Sequence, residues 1–360
     1  MAQLQHTVSW KRFIALAAGC AAMLLLLTLL FIAAVNPYGN LPLSLPFEHY
    51  RVTGNERFAF PGLLRSNSYD SAMLGTSTVM LLHPQALGDN LGGRFVNLSM
   101  GSATPFEQLR IFDEFLRTQH PKQVVVAIDT VWCDPYKRQD KLTFRPFPPW
   151  MYDGNRWNDY LHLLNDRALV HAIRLVAIWL KLARPPFGPD GYFRFVPDTS
   201  AFDLAKTRTK IYGRPEPGPA PASFASLRAA ERPFSGAPYP DLSDLFAAID
   251  RLPPDVSATL LFVPYHVSMF GTPAAWVSWT DCKQAAVRKS AERKRVTVID
   301  FMRPTPLTLS DTNYWDPLHY TVEQADNIVR ALGRAKAGEN SAPLFEVLHR
   351  PGWALDDTLK

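Results

Sequence analysis

The chain has 360 residues, 47% of them hydrophobic, which is enough for one large α/β domain or two small ones and excludes a disordered protein. Its formal charge is +5 with Lys and Arg scattered rather than striped, so no nucleic-acid partner is expected. Three cysteines exclude a disulfide framework, nine histidines without a His-x-His or His-x-x-x-His pair offer no metal site, and no cofactor is expected.

From Phe13 to Val35 no residue is charged, and Leu, Ala, Ile and Phe dominate. A helix of about 20 such residues spans the roughly 30 Å hydrocarbon core of a bilayer. Lys11 and Arg12 precede the run and no Lys or Arg follows until Arg51. That asymmetry predicts a cytoplasmic tail over 1–12, a single transmembrane signal anchor over 13–35, and everything later on the far side. A cleaved signal peptide fits less well, because its apolar core would be about 7–15 residues and Ala33-Ala34-Val35 is a poor cleavage match. Cys20 lies inside the run, which leaves Cys133 and Cys282 as the one candidate pair; sequence does not give their separation.

Residues 36–68 carry several prolines and read as an extended lead-in, followed by an α/β domain over 69–335 and a tail over 336–360. Ser71 to Leu74 reads as a short buried strand running into a turn at Gly75 that presents Ser77. A helix or loop to Leu87 and a second strand over Arg94–Leu98 follow, ending in the small-residue loop Ser99–Thr104. The apolar stripe Phe106, Leu109, Ile111, Phe112, Phe115 and Leu116 predicts a helix over 105–118, with Pro105 at its first position. The β-branched run Gln123–Asp129 reads as a central parallel strand.

From about 133 to 240 the pattern breaks into a large insertion, with helix over roughly 158–182 and a Pro-, Gly- and Ala-rich loop over 214–240. The rhythm then resumes: helix 242–252, strand 258–263, helix 274–293, strand 296–300. A loop over 309–320 holds Asp316 and His319, and Thr321 with Gln324 resembles a capping box opening a last helix. Strand, helix, strand at this spacing indicates right-handed βαβ units and a parallel sheet with helices on both faces.

In such a sheet, functional groups gather at the carboxyl ends of the strands. Ser77, Gly101, Asp129 and the Asp316–His319 loop all fall there. Asp and His three apart on one tight loop can share a face, so that the carboxylate orients the imidazole toward a serine. Backbone N–H groups of Ser77 and Gly101 would then face a developing oxyanion, a contribution of about 3 kcal/mol per donor.

Gly75-Thr76-Ser77, Val96-Asn97-Leu98-Ser99-Met100-Gly101 and Asp316-Pro317-Leu318-His319 together resemble the SGNH (GDSL-like) hydrolase superfamily, and more narrowly its membrane-anchored branch acting on envelope polymers. Thr76 stands where the family's nucleophile block has Asp, and either Gly101 or Ser99 matches the second block's oxyanion position. Pro264-Tyr265-His266 also resembles the anchored branch. The third block departs: Asp129 stands where the family places an Asn donor, and an ionised aspartate only accepts.

The resemblance implies an SGNH/flavodoxin-like three-layer α/β fold in the inner (cytoplasmic) membrane of a bacterium, with its main domain periplasmic. It implies acyl-ester hydrolysis or O-acyl transfer, most simply of acetyl, on an envelope polysaccharide. Ser77 would be the nucleophile, His319 the base and Asp316 its orienter, with a multi-span membrane acyltransferase as a partner. Asn97, Asp129, Trp132 and His266 are candidates for substrate contact or for support behind the site. Core packing is the simpler reading of Trp132, Trp150 and Trp157, and a sugar-stacking platform the sharper one. The alternatives are a catalytically silent domain that binds polymer or docks an acyl-supplying partner, and a purely structural assembly subunit.

Overall fold

The computed structural model describes residues 10–43, 45, 50–66, 68–163, 165–185 and 188–354. Residues 1–9 of the expected cytoplasmic tail, parts of the lead-in and residues 355–360 therefore lie outside the described residues.

Helix α1 (Trp10–Val35) is long and apolar enough to cross a membrane, and it is almost wholly exposed until its last turns. The lead-in is not simply extended, because it contains α2 (Glu56–Ser66) with Pro61 inside it. Proline removes an N–H that would have bonded the carbonyl four residues earlier. Here that carbonyl, on Arg57, accepts from the Tyr152 hydroxyl at 2.8 Å instead. Gly62 follows because a Cβ there would collide with the Tyr38 carbonyl.

The domain is built on β1 (Ser71–Leu74), α3 (Pro84–Leu91), β2 (Phe95–Asn97), α4 (Pro105–Thr118) and β3 (Gln123–Ile128). The insertion supplies α5 (Asp166–Trp179), α6 (Leu204–Tyr212) and α7 (Phe224–Ala230). Helix α8 (Pro240–Asp250), β4 (Ser257–Phe262), α9 (Pro273–Ala291), β5 (Val296–Asp300), α10 (Val322–Lys336), β6 (Ser341–Ala342) and β7 (Phe345–His349) complete it. The strands form one sheet in the order β2-β1-β3-β4-β5-β7-β6. The first five pair in parallel, whereas β7 runs antiparallel to β5 and β6 antiparallel to β7.

The expected parallel sheet is thus extended at one edge by the segment read as a tail. Helix α7 lies inside the segment read as loop. The helix expected over 158–182 is divided: a 3₁₀ turn covers Asn158–His162, and α5 begins only after its Asn165 cap. Helix α6, also inside the insertion, was not expected at all, whereas the other helices and strands expected in the domain lie within a few residues of their expected bounds.

The chain steps outward from β1 to β2 and then crosses back over β1 to β3. With right-handed crossovers, that reversal puts α3 on one face and α4, α8 and α9 on the other. Helix packing agrees, with α3 against α10 and α4 against α8. The reversal also makes the β1/β3 boundary the topological switch point, where an open α/β sheet leaves a crevice at its carboxyl edge.

Helix α4 shows how sequence sets packing. Thr104 and Glu107 form a reciprocal capping box, and Ile111, Phe112 and Phe115 are buried against the sheet. Each such side chain contributes roughly 1.5–3 kcal/mol of burial. Glu107 also pairs with the buried Arg57 of α2 at 2.6 Å, which locks α2 onto α4.

Cys133 and Cys282 are joined as a disulfide with Cα atoms 5.6 Å apart. It ties the root of the insertion to α9. The insertion closes on itself there, since the Tyr239 N–H donates to the Pro135 carbonyl at 3.0 Å.

Candidate active site

After β1 the chain turns at Gly75, where any Cβ would strike Val79 and Ala127. Thr76 caps a single 3₁₀ turn over Ser77–Val79. Thr76 and Thr78 are buried, and Ser77 between them is part-exposed.

The partner comes from the other half of the chain. The loop after β5 folds back on itself: Tyr314 bridges Tyr320, and the Trp315 N–H bonds the His319 carbonyl at 2.8 Å. Within that tight hairpin, Asp316 Oδ1 accepts from the N–H groups of Leu318 (2.9 Å) and His319 (3.0 Å). Its Oδ2 is 2.7 Å from His319 Nδ1. His319 Nε2 lies 2.8 Å from Ser77 Oγ, across 242 residues of sequence. Burial opposes the Asp316 charge, but the bond from His319 and the two backbone donors outweigh it and hold the carboxyl below its usual range. An ionised carboxylate only accepts, so Nδ1 carries the ring proton and Nε2 is left to accept from Ser77. The serine, histidine and aspartate singled out from sequence are therefore neighbours in hydrogen-bond order.

The surroundings hold this hairpin in place. The Tyr314 hydroxyl donates to the Pro264 carbonyl (2.8 Å), and the His266 N–H to that of Pro317 (2.9 Å). Asp311, at the start of the loop, accepts from Arg208 and Tyr212 of α6 (2.7 Å each) and lies 3.2 Å from His266 Nε2. Phe195, from the insertion, sets its ring edge-on to His319 at 5.0 Å. Sequence reasoning missed Phe195, Arg208, Tyr212 and Asp311; only Asp311, five residues before Asp316, stood near enough to draw notice. Thr321 caps α10 by position without a side-chain bond, and Gln324 donates to Asn313 instead of closing a capping box.

The remaining candidates divide by burial. Asn97 is buried, donating from Nδ2 to the carbonyls of Val79 (2.9 Å) and Leu82 (3.0 Å) while its Oδ1 accepts from the Ser99 N–H (3.0 Å). It clamps the Ser77 turn from behind and has no group left for substrate. Trp132 is fully buried, so it is packing and not a sugar platform. His266 is fully buried beside Asp311, and burial holds it uncharged; it supports the hairpin and is not a second base facing solvent.

Asp129 is also buried, and its Oδ2 accepts from the Thr76 hydroxyl at 2.5 Å. Burial pushes its carboxyl up to about 6 against the hydrogen bonds from Thr76 and Val131 that favour its charge. The hydroxyl beside Ser77 and the carboxyl that ends β3 are thus bonded to each other across the boundary of the two strands.

The Met100 N–H bonds the Gly75 carbonyl at 3.1 Å, which lays the Ser99–Gly101 loop beside the serine turn. The Gly101 carbonyl is held at 3.3 Å by both terminal nitrogens of the buried Arg57. A Cβ on Gly101 would stand 3.4 Å from Arg145 Nη2, so a guanidinium from the insertion borders the loop.

No family model and no curated protein matches the chain.

Proposed function

We propose that this is an SGNH-like serine acyl esterase or O-acyltransferase of the cell envelope, tethered by α1 and acting on an extracytoplasmic polysaccharide. The observation that carries the reading is the unbroken chain of short contacts from Ser77 through His319 to Asp316. As Ser77 Oγ attacks an acyl carbonyl, its proton passes to His319 Nε2 and the carbonyl oxygen becomes an oxyanion beside the Ser77 and Gly101 N–H groups. Collapse expels the donor alcohol, which takes the proton from His319 and leaves the acyl group on Ser77. Water or a sugar hydroxyl then attacks, gives its proton to His319, and the serine leaves and recovers it. Asp316 stabilises the imidazolium at both stages. The disulfide supports an extracytoplasmic address, because such bonds persist in oxidising compartments.

Asp129 favours a second reading, a catalytically silent domain that binds polymer or docks a membrane acyltransferase. A buried carboxylate that accepts from Thr76 adds no oxyanion donor. A serine-reactive fluorophosphonate separates the two. The esterase reading expects one adduct, on Ser77, that is lost in Ser77→Ala and strongly slowed in His319→Ala. It also expects acetyl-ester turnover to fall by about 10³-fold or more in Ser77→Ala. An unlabelled Ser77 in the folded wild-type chain leaves the silent domain standing.

A further inference from the structure

Helix α5 packs against the end of α1: Ile32 and Val35 share a buried cluster with Ala168, Ala172, Leu175 and Ile178. The opposite face of α5 is unusually apolar for a surface. Val170 is 60% and Ile173 55% exposed, and just past the helix Leu180 and Leu182 are 63% and 78% exposed. Exposed cations accompany them: Arg167 and Arg174 beside the apolar face, then Lys181 and Arg184. Over 166–185 they face one acid, Asp166. An exposed apolar face edged by Arg and Lys is the composition of a helix that lies in a membrane interface.

Length places that face at the bilayer. Counted from Phe13, just after Lys11 and Arg12, about 20 helical residues cross a hydrocarbon core of roughly 30 Å and end near Ile32. Burial of α1 in the domain begins at that depth: the helix is exposed up to Leu27, and Ile32 and Val35 are buried. The point where α1 leaves the membrane is therefore the point where α5 meets it.

We propose that α5 is a second membrane element, lying in the outer interface with Val170 and Ile173 at the headgroup–acyl boundary and its cations on anionic lipid phosphates. It rests on the reading of α1 as a bilayer anchor. Two contacts instead of one would fix the domain's tilt, so that the cleft at Ser77 stands at a constant height and attitude over the membrane.

The test uses the full chain in vesicles of phosphatidylglycerol and phosphatidylcholine, with no other protein present. Cys20 is the single free cysteine and lies in α1, so the native chain carries an NBD label there. A second protein, Cys20→Ser with Ile173→Cys, carries it on α5 at an exposed position whose replacement leaves the core intact. The expected result is blue-shifted emission from both labels, quenched more by shallow than by deep doxyl lipids at position 173 and the reverse at position 20. Water-like, unquenched emission at 173 with lipid-quenched emission at 20 overturns the proposal while the anchor stands, and would indicate a protein occupant for this face. Water-like emission at position 20 overturns the anchor and the proposal together.

Discussion

Thr76 follows β1 and Asp129 follows the neighbouring β3, and each explains the other. A hydroxyl donor at the serine turn and an acceptor at the end of β3 make one 2.5 Å bond across the switch point. Its electrostatic cost is legible in Asp129, which burial raises from 3.8 to about 6. A carboxyl raised on folding holds its proton more tightly in the native state. Its contribution to stability is therefore complete below about pH 4 and lost as pH rises through about 6, amounting to roughly 3 kcal/mol. Asp129→Asn removes that titration. Denaturation of both proteins in the same detergent should show the variant gaining on wild type by about 2–3 kcal/mol between about pH 4 and pH 7.5. A stability difference that stays level across that range would rule out a raised carboxyl here.

The elements around the site were legible in sequence wherever a local pattern carried them. Helix α4 declared itself by an apolar stripe and a proline at its first position, and both ends agree with the structure. Asp316 and His319 were legible because one hairpin turn joins them. Ser77, so far away in sequence, could be matched to them only through the rule that groups collect at strand ends and through the resemblance of the two segments to one set of blocks. What escaped notice lacked a local signature. Helix α2 contains Pro61-Gly62, tolerated because Tyr152 takes the freed Arg57 carbonyl and Tyr38 presses on the glycine. Strand β6 is only two residues long and announces no pairing, and β7 is a strand because β5 offers it an open edge. Of the two roles the sequence left open for Asn97, its bonds fit support behind the site, since they hold the turn between β1 and α3. Asn97→Ala strands two carbonyls and one N–H in a buried site, and should destabilise the domain by about 3 kcal/mol. Labelling of Ser77 should also slow at temperatures where the variant is still folded. Wild-type melting with wild-type labelling would mean that the clamp is idle.

Across the whole molecule, the insertion is the part that sequence left without a role, yet it walls the site. Phe195 meets the His319 ring, α6 holds Asp311, and Arg145 borders Gly101. Gly191 makes the close approach possible: its φ is +80°, and a Cβ there would overlap the Asn97 carbonyl at the end of β2. All of this hangs from a root where the Pro135 carbonyl meets the Tyr239 N–H and Cys133 is bonded to Cys282 of α9. A crosslink over a sequence separation of 149 removes much freedom from the unfolded chain. The chain-entropy account gives about 5 kcal/mol for such a loop, and measured bridges more often give about 2–4. Cys133→Ser with Cys282→Ser should therefore lower the unfolding free energy by about 2–5 kcal/mol in denaturant titrations. Ser77, His319 and Asp316 do not depend on the bridge for their mutual contacts, so the folded double variant should still label at Ser77. If it folds with undiminished stability but no longer labels, the bridge shapes the site directly, and the insertion's root is part of what sets the geometry around Ser77.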